Sequence, residues 1–181
     1  MKRQIAAALV FMASAPGTLV ADDSPARGGG TVYASIQELM YAIVDPSADV
    51  LWSAAGTVVD NEGVHDLSPK TPEEWRDVRS AALRIIEGSN LLMMEGREAA
   101  PPGTKSETPG VELEPVEIAA LVNKNRKQFN AFANALQLVA LEALQAIDAK
   151  NVDLLGEVGG RMDGVCESCH QTFWYPPPAT K

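Results

Sequence analysis

The chain has 181 residues with 15 basic and 24 acidic side chains, a formal net charge of −9, 46 % hydrophobic residues, two cysteines and two histidines. That length buries an ordinary core without disulfide staples, and a single cysteine pair excludes a disulfide-framework fold. The acidic balance argues against nucleic acid as a partner, because neutralising phosphates takes clustered Lys and Arg.

Lys2 and Arg3 precede an apolar run from Ile5 to Met12, and small residues lead through Leu19-Val20-Ala21 to Asp22-Asp23. A charged start, a short apolar middle and a small-residue cleavage site are the layout of a secretory signal peptide, expected over residues 1–21. Ser14, Pro16 and Gly17 interrupt the run. It falls short of the roughly 20 residues a membrane span takes, so no span is expected after cleavage. Removing Lys2 and Arg3 leaves 13 basic and 24 acidic groups, a net −11. Residues 22–31, with Pro25 and Gly28-Gly29-Gly30, read as a flexible leader.

Four helical segments follow. Ser35 with Glu38 three residues on forms a capping box, and Ile36, Met40, Ile43 and Val44 mark one face. Pro46 removes a backbone donor, which predicts a kink or two shorter helices in a pattern that runs on to about Ala55. Residues 56–70 read as a polar connection in which His65 is a solvated histidine. The second helix starts at Thr71 as cap, Pro72 and Glu74, and buries Trp75, Val78, Ala82, Ile85 or Ile86, and Leu92 before a stop at Gly96. Residues 96–113, rich in Pro and Gly, read as an exposed crossing between helices.

The third helix is expected as one long element from Pro115 to about Ala149, with Ile118, Leu121, Phe129, Leu136 and Val139 on its apolar face. Asn151 caps a fourth, in which Leu155, Val158, Met162, Val165, Cys169 and Phe173 repeat the pattern until Pro176-Pro177-Pro178 stops it. No stretch alternates like a half-buried strand. The expected fold class is therefore all-α, an antiparallel four-helix bundle over residues 32–175 with a Pro-rich tail over 176–181.

Both cysteines fall in Cys166-Glu167-Ser168-Cys169-His170, the spacing used to attach c-type haem. Residues three and four apart on a helix share a face, so the two thiols can form thioethers to the haem vinyl groups while the adjacent imidazole binds iron from the same side. One covalent haem c is the cofactor this predicts. A disulfide would close a tiny loop and leave His170 unexplained. Zinc wants four ligands, and beyond these three only His65 offers an imidazole. A thioredoxin-like pair expects a strand-to-helix setting.

A Cys-x-x-Cys-His motif at the end of the last helix, with Leu39-Met40 facing inward from the first, resembles the class II cytochromes c: cytochrome c′ and the low-spin cytochrome c556 group. The likeness covers the layout from about Val32 to Tyr175, and only the haem motif is specific. It implies that Cys166 and Cys169 are the attachment sites, His170 is the proximal iron ligand and Met40 is the distal one, as in the c556 group. In the c′ group an apolar residue stands in that region and iron stays open to gases such as nitric oxide. Met40 as core filler is the bland alternative, since a thioether packs anywhere. Met93 and Met94 are weaker ligand candidates, and Met162 is expected to pack beside the ring on the proximal side. The family usually has a basic residue four positions after the histidine; this chain has Trp174.

The reading that follows is a periplasmic one-electron carrier, not an enzyme, because no second histidine or carboxylate can be placed beside the iron from sequence. The alternative is a five-coordinate, cytochrome c′-like protein that binds or senses small gases, and a third reading is a helical bundle without haem. The expected partners are redox proteins with a basic docking patch, since complementary charge speeds encounter. The resemblance also allows a homodimer through the first two helices.

Overall fold

The computed structural model describes residues 30–175. The expected signal peptide, most of the leader and the Pro-rich tail lie outside the described residues. The chain is mostly helical with one small two-stranded sheet, and no described helix is long and apolar enough to cross a membrane.

Helix α1 (Ile36–Leu39) opens on the capping box its sequence announces: the Ser35 hydroxyl accepts from the Glu38 amide at 3.2 Å, and the Glu38 carboxylate accepts from the Ser35 amide at 2.8 Å. The next two amides, of Ile36 and Gln37, donate to the carbonyls of Glu98 and Ala99, each at 2.9 Å. The start of α1 is thus tied to the chain just beyond the second long helix. From Leu39 the backbone continues unbroken through a π-helical turn (Met40–Val44), in which the Asp45 amide reaches back to the Met40 carbonyl, and into α2 (Asp45–Ser53). The proline effect expected at Pro46 takes this form. A ring without an N–H that presses on the preceding turn is accommodated by widening that turn, so the axis neither breaks nor separates.

Residues 56–70 correct the expectation of a strandless connection. Strands β1 (Thr57–Asp60) and β2 (Gly63–Asp66) pair antiparallel, from Thr57 opposite Asp66 to Asp60 opposite Gly63. Gly63 has φ +132°, a conformation the turn needs and other residues resist. Nearly every residue of the hairpin is exposed. Alternating polarity marks a strand with one buried face, and this ribbon has none.

Helix α3 (Pro72–Met93) carries the second capping box, Thr71 with Glu74, and buries Trp75, Val78, Ala82, Ile85, Ile86 and Leu92 as its spacing predicts. The single long helix expected from Pro115 is instead two, α4 (Pro115–Lys124) and α5 (Arg126–Asp148), divided at Asn125 with φ −118° and ψ 35°. The Asn125 carboxamide donates to the Leu121 carbonyl at 3.1 Å and so competes with the backbone ladder. Asn151 then caps α6 (Val152–Phe173) by accepting from the Leu154 amide at 3.0 Å.

Helix α3 packs on α5, α5 on α6, and α2 on both α3 and α6. One core cluster joins α2, α3, α5 and α6 around Leu51, Ile85, Leu155 and Met162; a second, smaller one joins Leu39, Leu92, Val122, Phe129, Ala133 and Phe173. Two glycines permit close approach. A Cβ on Gly88 would stand 3.2 Å from Ile43 of the π turn, and one on Gly159 would stand 3.1 Å from the Trp52 ring, whose Nε1 donates to the Gly159 carbonyl at 3.1 Å. Gly160 and Gly164 of the same helix face open space.

Candidate functional site

The last two turns of α6 bring Cys166, Cys169 and His170 to the line where the two core clusters meet. Cys166 packs against the larger cluster and Cys169 against the smaller. Met40, from the π turn across the way, packs against both. Two adjoining cavities of about 120 Å³ and 180 Å³ open here, and Met40, Asp45, Phe129, Cys169 and His170 line both of them. Cys166 lines the second, together with Val44, Trp52, Leu92, Phe132 and Leu136. The methionine and the motif residues, 126 positions or more apart in sequence, thus share one space.

Each thiol is free and half-buried. Burial pushes Cys166 up to about 11, with Asp163 adding to the effect, and Cys169 up to about 12. Both are neutral at ordinary pH, unlike the low-pKa thiolate of a redox-active pair. Burial also holds the His170 imidazole below its usual range, against the opposing pull of Asp45 and Glu167. The Asp45 carboxyl is pushed up by partial burial, with His170 opposing and Asp49 reinforcing the shift.

Beyond α6 the chain closes one side of the site. Phe173 is buried edge-to-face against Phe129 at 5.5 Å and Phe132 at 6.2 Å. Trp174 meets the His170 ring edge-to-face, centroids 4.9 Å apart at 88°, and Tyr175 stacks on Trp174.

The 96–113 segment does more than cross between helices. Ala99, Lys105, Ser106, Glu107 and Leu113 line the first cavity. The segment is held over the site by the Leu113 amide donating to the Trp174 carbonyl at 2.9 Å and by the Tyr41 hydroxyl donating to Glu107 at 2.9 Å. Arg97 is buried with no carboxylate partner among the described residues; its guanidinium bonds the carbonyls of Leu91 and Ala34, clamping the end of α3 to the chain before α1. The spacing of this segment carries no sign of these roles, because it is polar and aperiodic.

Other expected candidates fall elsewhere. Met162 is fully buried in the larger core, the cluster that Cys166 and Met40 pack against, and lines neither cavity. The side chains of α6 that face the core one turn before Cys166 point into the centre of the helix packing. Met93 and Met94 line neither cavity, and Met94 sulfur instead receives an Arg97 N–H at 3.8 Å. His65 sits on the hairpin paired with Asp60 at 2.9 Å. A larger open depression of about 480 Å³ lies at the α4–α5 break, but only Lys124 to Gln128 and Ala131 line it, with no thiol or imidazole among them.

Among the described residues no group of three or more His, Cys, Asp or Glu is arranged to hold a bare metal ion. The motif does not by itself make a four-ligand zinc site. No family model matches the chain, and no curated protein or solved structure is significantly similar to it.

Proposed function

We propose that this chain is an exported, periplasmic c-type cytochrome of the class II kind, an antiparallel four-helix bundle that carries one covalent haem c and passes single electrons. The observation that supports this most is the convergence of Met40 with Cys166, Cys169 and His170 on one pair of adjoining, mainly apolar cavities. In this reading α1 to α2, α3, α5 and α6 are the four bundle helices, and α4 is a ten-residue helix set off from α5 at Asn125.

The donor set suits the group. Neutral, half-buried thiols three residues apart can add across vinyl groups to give thioethers, and the imidazole beside them supplies a nitrogen ligand. Met40 supplies a thioether from the opposite helix. Haem brings the one-electron Fe(III)/Fe(II) couple, whose potential follows axial ligands, burial and hydrogen bonding. The chain's own part is to hold His170 and Met40 in place and to exclude water with Phe129, Phe132 and Leu136. Each cavity is smaller than the 300–1,000 Å³ typical of ligand pockets, so the side chains between them would have to part to admit the macrocycle.

The cavity walls carry Asp45, Glu107, Glu112, Asp163 and Glu167, and Lys105 is the one Lys or Arg that lines them. An acidic rim favours a redox partner with a basic docking patch. Haem staining of the denatured protein tests the proposal: stain that survives denaturation and disappears in Cys166→Ser supports it, and an unstained wild-type chain exported with its assembly machinery refutes it.

A further inference from the structure

The His170 ring makes no hydrogen bond with any other described residue, and an aromatic edge meets it instead. Iron-binding imidazoles are ordinarily oriented by a carboxylate or carbonyl that takes the second ring N–H. Here the neighbour is an indole. Trp174 stands edge-to-face on the imidazole at 4.9 Å and 88°. The Trp174 main chain is held on both sides, its amide donating to the His170 carbonyl at 2.8 Å and its carbonyl accepting from the Leu113 amide at 2.9 Å, and the Tyr175 ring stacks on the indole at 5.9 Å and 23°. Phe173, buried between Phe129 and Phe132, fixes the helix end that carries all of them.

We infer that Trp174 is a positioning residue that sets the plane of the His170 ring by aromatic packing in place of a hydrogen bond. The inference rests on the reading of His170 as the iron ligand. An edge-to-face pair contributes only about 0.5–1.5 kcal/mol beyond its burial, which suffices to select one ring orientation. The plane of an axial imidazole governs the rhombic splitting of ferric iron, so the consequence is spectroscopic and separable from stability.

The test is the ferric electron paramagnetic resonance spectrum of the holoprotein in wild type, Trp174→Phe and Trp174→Leu, each at equal covalent haem content. Trp174→Leu removes the ring edge and part of the bulk; its g values are expected to shift and broaden. Trp174→Phe restores an aromatic edge and is expected to bring them back towards wild type. Identical g values in all three proteins overturn the inference even if thermal stability falls. A shift in Trp174→Leu that Trp174→Phe fails to reverse also overturns it, since bulk and not the aromatic contact then orients the ring. A wild-type protein that carries haem with unchanged g values in the variants sinks the role of Trp174 alone; a wild-type protein without covalent haem removes the ligand reading and this inference together.

Discussion

Met40 is the residue on which the functional reading turns. A methionine on an apolar helical face packs well almost anywhere, so its type says little. Its position says more: it begins a π-helical turn, a rare local form that recurs at functional sites, and it lines both cavities with His170. If Met40 is the second ligand, Met40→Ala keeps full covalent haem and converts a low-spin absorption spectrum to high-spin. If it is filler, the spectrum stays low-spin and only stability falls, by less than the roughly 2–5 kcal/mol of a fully buried methionine truncation because Met40 is half-buried. The motif was legible from five consecutive residues. The aromatic contact on His170 was not, because Trp174 at that position reads equally as the packing of a helix end.

At the scale of elements, local signals translated well and non-local ones did not. Both capping boxes form as their four-residue patterns predict, since cap chemistry is decided within one turn. Glu38 and Glu74 accept cap amides, chiefly those of Ser35 for the first and Lys70 for the second, and both carboxyls lie below their usual range. A depressed carboxyl contributes stability that is fully present above its unfolded value of 4.5 and is lost as pH falls through the lower folded value. Thermal unfolding followed from about pH 6 to pH 3 is therefore expected to show a smaller acid loss in Glu74→Gln, which keeps the box but cannot titrate. Equal loss in both proteins contradicts this account of the cap. The break at Asn125 and the hairpin at 57–66 were hidden for opposite reasons. Asn125 interrupts a continuous apolar stripe without disturbing it, and the hairpin buries no face that could leave a pattern. The path of residues 96–113 over the site was illegible because two backbone bonds to α1, a clamp by Arg97 and a bond to Trp174 fix it, all with distant partners.

For the whole molecule, charge and topology bear on how the site meets other proteins. A formal net charge of −9, with five carboxylates on the cavity walls against one lysine, predicts long-range attraction to basic acceptors. The bimolecular rate of electron transfer to an acceptor with a basic patch is expected to fall as salt is raised through about 0.15 M, where the screening length is near 8 Å, while the rate to an acidic acceptor rises. Rates independent of salt for both would show that the acidic rim does not steer encounter. Helical architecture was readable from periodicity alone. What needed three dimensions was that Met40 of the π turn and the end of α6, far apart in the described chain, line one space.

The absorption spectrum of the purified protein, expressed with a haem-attachment system, tests that convergence most directly. The account predicts a low-spin haem c spectrum in both oxidation states, with the weak methionine-to-iron band at the red edge of the ferric form. A high-spin spectrum that changes on adding nitric oxide, or no haem absorption at all, contradicts it.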